Sequence, residues 1–191
     1  MKKIFFILYS LFFIIALCAV SCKRTTPTPQ RTLPAQYTLA YEEIYGHCYD
    51  SIPYAVVAID AYSDGITMDK NHRITGTGYN LYISDIFVPD SLLAEGEYHS
   101  LNTHQSPITN YQSPITPFTF LPGKDYEGYP HGIYILTIEE DKIQNIQVVD
   151  SGSFVYRSDS ILFTLYYPNS YGSPTKYTCQ FSGTLLPWVK K

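Results

Sequence analysis

The sequence predicts an all-β protein, with a single antiparallel β-sandwich or flattened barrel of about 8–10 strands. Three observations lead there. Aromatic residues make up 16% of the chain and 19 residues are Tyr, a composition suited to pleated, half-buried surfaces. After the first two dozen residues no stretch repeats apolar residues at helical spacing. Short β-rich runs recur instead, separated by clusters of Gly, Pro, Asn, Asp and Ser.

Strands are expected near Tyr37–Tyr49, Tyr54–Tyr62, Ile74–Phe87, Thr116–Phe120, Gly132–Glu139, Ile143–Val149, Ser153–Arg157, Ile161–Tyr167 and Tyr177–Leu185, the first and third each able to split in two. The clearest hairpin joins Gly132–Glu139 to Ile143–Val149 across a short charged turn, so its acids read as turn chemistry. Asp159 and the run from Pro168 to Pro174 separate the last strands. Between Glu97 and Thr116 the strand pattern lapses. There Gln105 to Thr109 (QSPIT) returns as Gln112 to Thr116, a tandem duplication with a proline in each copy, which reads as an exposed loop.

Ahead of this domain lies an export signal. Lys2 and Lys3 precede an apolar run from Ile4 to Val20, the order of a secretory leader. As a helix the run reaches roughly 25 Å, short of the roughly 30 Å hydrocarbon core. Leu17 to Cys22 (LCAVSC) resembles a lipobox, the processing motif of bacterial lipoproteins, with small Ser21 before the cysteine. That resemblance implies cleavage before Cys22 and acylation of its thiol and new amine, so Cys22 is the lipidation site and the lipid bilayer a partner. Thr25 to Pro34 (TTPTPQRTLP) then reads as a semi-extended spacer, holding the domain on the order of 30 Å from the membrane. The expected organisation is residues 1–21 signal, 22–36 lipidated cysteine and tether, 37–187 β domain and 188–191 tail. Lys23 lacks the Asp that retains lipoproteins at the inner membrane, and Lys23-Arg24 differs from the acidic stretch associated with surface display. The outer membrane, periplasmic leaflet, is the favoured location.

Loss of Lys2 and Lys3 with the leader takes the formal charge from −4 to −6, leaving no basic patch for nucleic acid. Cys48 and Cys179 are the pair available for a disulfide in an exported chain. Two free thiols are the alternative, since Cys179 lies in phase with Tyr177 and Phe181 on an apolar strand face.

The C-terminal half resembles a cadence common in uncharacterised Bacteroidales-type lipoproteins. The residues concerned are Phe120 to Gly123, Pro130 to Tyr134, Ser151 to Val155 and Phe181 to Leu185. The resemblance implies an antiparallel β domain and no known activity. A second resemblance is to the O-glycosylation signal of such bacteria, Asp followed by Ser or Thr and an apolar residue. Asp50-Ser51-Ile52, Asp90-Ser91-Leu92 and Asp159-Ser160-Ile161 match it, so Ser51, Ser91 and Ser160 are the implied acceptors.

Nucleophile elbows, phosphate loops, zinc-helix pairs and Cys-x-x-Cys are all missing from the sequence. His47, His72, His99, His104 and His131 fit no common metal spacing. No catalytic residue, metal or cofactor is therefore expected. Glu42 and Glu43 would point to opposite faces of a strand, one exposed and one at an edge. Tyr126, Tyr129 and His131 form a candidate binding loop able to stack on a sugar ring or peptide. The expected function is a tethered, non-enzymatic envelope module that binds a protein or glycan through its loops. A calycin-like barrel around a small apolar ligand and a hydrolase of unfamiliar type are the alternatives.

Overall fold

A computed structural model of the chain describes residues 32–50, 52–69, 73–101, 115–126, 129–168 and 173–189. The expected signal, Cys22 and most of the tether lie outside the described residues, as do Ser51, His72, His104 and nearly all of the duplicated segment.

The β-rich runs become strands in chain order: β1 (Gln36–Gly46), β2 (Ala55–Ser63), β3 (Ile66–Met68), β4 (Ile74–Gly76), β5 (Gly78–Val88), β6 (Gly96–Ser100), β7 (Thr119–Phe120), β8 (Lys124–Tyr126), β9 (Tyr129–His131), β10 (Ile133–Glu139), β11 (Lys142–Val148), β12 (Ser151–Arg157), β13 (Ser160–Tyr167), β14 (Thr175–Ser182) and β15 (Leu186–Val189). The main sheet runs β11-β10-β5-β2-β1-β14-β13-β12-β6-β7, and β7 pairs back onto β5. The eight strands from β5 round to β7 thereby close a barrel, and the β10–β11 hairpin extends from it as a flap of sheet. β3 with β4 and β8 with β9 form separate two-stranded ribbons.

Closure depends on β5 sharing one edge between two partners. Gly78–Ile83 pairs with β10, whereas Ile86 and Phe87 pair with β7. The division falls at Asp85, which has a φ of 53°. The seam strand β7 is only two residues long, and Phe118 before it, at a φ of 64°, still donates its amide to the Phe87 carbonyl and accepts the His99 amide. Its ring lies over Gly96, where a Cβ would collide with it, and packs on Tyr98 with ring centres 5.1 Å apart.

The all-β expectation holds, and of its two forms the barrel is the one adopted. The barrel is mixed rather than purely antiparallel: β1 runs parallel to β14 and β15, and β6 parallel to β7. Parallel neighbours require a long connection, supplied in the first case by the whole intervening domain and in the second by residues 101–118. The third expected strand divides as β4 and β5. Gly96–Ser100, within the stretch where the pattern lapsed, is strand β6. β15 carries regular structure two residues into the expected tail.

Inside the barrel, Ala55, Val57, Ile59 and Ala61 of β2 face Leu81 and Ile83 of β5 and the aromatic residues of the far wall, all almost fully buried. Phe154 is central. It stacks on Tyr98 at 4.5 Å and meets Phe120 at 5.4 Å and Phe163 at 5.9 Å. An eight-stranded barrel is just wide enough for side chains to fill or for one small ligand, and this ring cluster occupies its interior. Cys179 lies in the same core, whereas Cys48 is exposed, and both are free. The disulfide alternative is thus not adopted, because Cys179 points inward and Cys48 sits on an outer loop.

Candidate functional site

Alternation along a strand should send one set of residues into the barrel and the next into water. On β2 it does not, since all nine residues are buried. The outward set Val56, Ala58, Asp60 and Tyr62 is covered by its neighbours. Register explains how. Tyr41 of β1 lies opposite Asp60, Asp60 opposite Tyr82 of β5, and Tyr82 opposite Tyr134 of β10. One row below, Leu39, Tyr62, Asn80 and Leu136 align in the same way. A four-strand face outside the barrel is thus paved with aromatic rings over polar groups.

Those polar groups form a network. Asp60 accepts hydrogen bonds from the Tyr62 hydroxyl at 2.5 Å and from the Asn80 side-chain amide, which also donates to the Ala61 carbonyl at 3.2 Å. Glu43 accepts from the hydroxyls of Tyr45 and Tyr82, the latter at 3.1 Å, and these two hydroxyls lie 2.9 Å apart. Nearby, Asp85 accepts from Tyr49 at 2.6 Å and from Ser84 at 2.7 Å. Burial, reinforced by these carboxylates, raises the hydroxyl pKa values of Tyr62, Tyr82 and Tyr134, and pushes Tyr45 up to about 12. The hydroxyls therefore stay protonated and act as fixed donors. Tyr82 and Tyr134 are stacked with centres 5.0 Å apart, while Tyr41 makes edge contacts to Tyr62 and to Trp188 of β15, each at 6.4 Å. Tyr41, Tyr82, Tyr134 and Trp188 are half-buried and Tyr45 is 37% exposed, leaving ring surface open to solvent.

Glu42 and Glu43 do point to opposite faces, but neither is exposed: they are 7% and 4% accessible. Glu43 is covered by the outer tyrosines. Glu42 faces the barrel interior, where its carboxylate accepts the Leu93 amide of the β5–β6 connection. Burial raises its pKa, partly offset by that amide. Tyr98 fixes the same connection, donating to the Ala94 carbonyl at 2.9 Å and accepting from its amide at 3.1 Å.

The candidate loop of Tyr126, Tyr129 and His131 is the β8–β9 ribbon, with Tyr126 opposite Tyr129 and His131 exposed. Gly132 leads it directly into β10. Its φ is 75°, its amide donates to Ser84 Oγ at 2.9 Å, and a Cβ would strike the Pro122 carbonyl. The ribbon is therefore fixed at the end of the strand that carries Tyr134. Ser91 is exposed in the β5–β6 connection, and Ser160 opens β13 with its hydroxyl 3.2 Å from Asp159. His47, His99 and His131 are exposed and lie on different elements. Among the described residues no group of three His, Cys, Asp or Glu side chains is placed to hold a metal.

The outer network is the feature that motif reading missed, although its signal is present. Tyr41-x-Glu43-x-Tyr45, Asp60-x-Tyr62 and Asn80-x-Tyr82 each place an acid or amide in phase with tyrosine on one strand face. Comparison with known proteins adds no family: no protein-family model, curated protein or solved structure matches the chain.

Proposed function

We propose that this chain is an exported lipoprotein anchored through acylated Cys22, and that its barrel is a non-enzymatic binding module whose outer β1–β2–β5–β10 face takes a glycan. The observation that carries this reading is the in-register row Tyr41, Asp60, Tyr82, Tyr134. Tyr41 and Tyr82 stand two strands apart, about 10 Å at ordinary sheet spacing, roughly the length of a disaccharide. Sugar rings present apolar C–H faces to aromatic rings, so half-buried rings held in place by the carboxylates and amide beneath them suit them. Because Glu43 and Asp60 already hold the hydroxyls of Tyr45, Tyr62 and Tyr82, little side-chain freedom is lost on binding, which favours affinity. Anchoring on a Thr/Pro spacer would present this face at a distance from the bilayer.

Two measurements test the reading. The purified full chain applied to an array of bacterial and plant polysaccharides is expected to bind at least one. Tyr82→Ala should weaken that binding at least tenfold, with Tyr82→Phe intermediate. An array without binding, or a Tyr82→Ala variant that binds as well as wild type, would overturn the glycan assignment. For the anchor, radiolabelled palmitate should enter the wild-type chain and not Cys22→Ala; equal labelling would refute it.

A further inference from the structure

The outer row runs past the four strands described above. Leu186 of β15 lies opposite Tyr41, and Val148 of β11 lies opposite Tyr134. Leu186, Tyr41, Asp60, Tyr82, Tyr134 and Val148 therefore form one line across six strands. Its five strand spacings of about 4.8 Å make it roughly 24 Å long. At the β15 end, Trp188 stands beside the line in edge contact with Tyr41.

Two segments flank this line. On the side of Tyr62, the β3–β4 ribbon lays Ile66, Met68 and Ile74 against Tyr62, Leu39 and Leu136. The β10–β11 turn holds the ribbon there. The Asp141 carboxylate accepts the Gly76 amide at 2.5 Å, the Asp141 amide donates to the Gly76 carbonyl at 3.0 Å, and the Glu140 amide donates to Thr77 Oγ1 at 3.1 Å. On the side of Val56, Tyr49, Ile52 and Tyr54 of the β1–β2 connection pack over Val56 and Phe87, with the Tyr49 hydroxyl fixed on Asp85. Of the outward set of β2, only Ala58 and Asp60 lie between the two covers. The band left between them is two side-chain rows wide, with about 7 Å from row to row.

The ends of the band differ from its sides. Among the described residues β15 pairs only with β1 and β11 only with β10, and Leu186 and Ile146 on these strands are 41% and 44% exposed. The band is thus a trough, walled along its length and open at both ends.

Resting on the glycan assignment above, we infer that the trough takes the interior of a linear polysaccharide, with about five sugar units lying across the strands and the chain running out past β15 and β11. A site for a chain terminus would be closed at one end. A branched glycan would need room at the sides, where the β3–β4 ribbon and the Tyr49–Tyr54 segment stand. Rings and aliphatic side chains recur along the row on both sides of Asp60, so each added unit gains contact until the trough is filled.

The probes are size-fractionated partial hydrolysates of the polysaccharide that the array identifies, titrated calorimetrically against the purified full chain. Affinity is expected to rise at least tenfold from disaccharide to hexasaccharide and then to level off. On the intact polysaccharide more than one copy should bind per chain, and the number should grow with chain length. Trp188→Ala and Val148→Asp, at the two ends of the trough, should each weaken hexasaccharide binding at least threefold and flatten the rise, with an unchanged far-ultraviolet spectrum. A disaccharide that binds as tightly as the hexasaccharide, a single copy per polysaccharide chain, or a rise that survives both folded variants would overturn the trough and leave the glycan assignment standing. No polysaccharide binding, or indifference to Tyr82→Ala, overturns both. If either end variant fails to fold, the wild-type length series and stoichiometry decide.

Discussion

The inner and outer faces of β1, β2 and β5 are built from alternate residues of the same strands, yet they are held together by different physics. Inward lie Ile59, Ala61, Leu81 and Ile83, packed against the Phe154 cluster mainly by apolar burial. Outward lie Asp60, Tyr62, Asn80 and Tyr82, equally shielded in part but joined by directed hydrogen bonds. The comparison separates what a face is for. A filled apolar core needs volume and tolerates no partner, whereas rings pinned at their hydroxyls and open at their edges hold a fixed surface toward solvent.

The largest effect should come from the inner face. Phe154→Ala removes the ring that touches Tyr98, Phe120 and Phe163, and a cavity of that kind costs about 3–5 kcal/mol. Urea denaturation of the variant should show it as a lowered midpoint, with glycan affinity of the remaining folded protein unchanged. Next is Asp60→Ala, which orphans the Tyr62 hydroxyl beneath the outer rings and leaves the Asn80 amide only its bond to the Ala61 carbonyl, and is expected to cost on the order of 2 kcal/mol. Unlike Phe154→Ala it should also weaken binding, because the Tyr62 and Asn80 donors beneath the rings lose the acceptor that fixes them. If Asp60→Ala proved the more destabilising and left affinity intact, the outer face would be a second structural core and the distinction between faces would fail.

The smallest effect concerns an acid on the inner side. Burial raises the Glu42 pKa in the folded chain, so its contribution to stability is fully present below the unfolded value and is lost as pH rises through the folded one. Glu42→Gln should remove that loss, since an amide oxygen can still accept the Leu93 N–H. Thermal unfolding across mildly acidic to neutral pH should fall for wild type and stay flatter for the variant. Parallel curves would mean that Glu42 is not the group responsible.

Much of the architecture was legible because strand signals are local. The hairpin of β10 and β11 follows from two β-rich runs and a short turn, and Glu140 and Asp141 there adopt the positive φ values, 50° and 66°, that such turns require. Asp141 then accepts the Gly76 amide at 2.5 Å, a contact across 65 residues that no local pattern announces. β6 was hidden because its five residues, Gly-Glu-Tyr-His-Ser, show little β-propensity and become a strand only between β12 and β7. The disulfide alternative depended on where two distant thiols point, which spacing in sequence cannot supply. For the site, the in-phase tyrosines and acids were readable strand by strand, but not the register that aligns them.

The sequence by itself determined that this domain is all-β, where most strands begin and end, and which residues share a strand face. These follow from side-chain shape, turn chemistry and the two-residue period, all of which act over a few residues. Only the tertiary structure decided that the sheet closes through β5 and β7 and that Glu42 and Glu43 are both buried. It alone set Tyr41, Asp60, Tyr82 and Tyr134 in one row. Pairing between strands far apart in the chain is fixed by the global packing of one core, and a one-residue change of register would send each of these side chains to the opposite face.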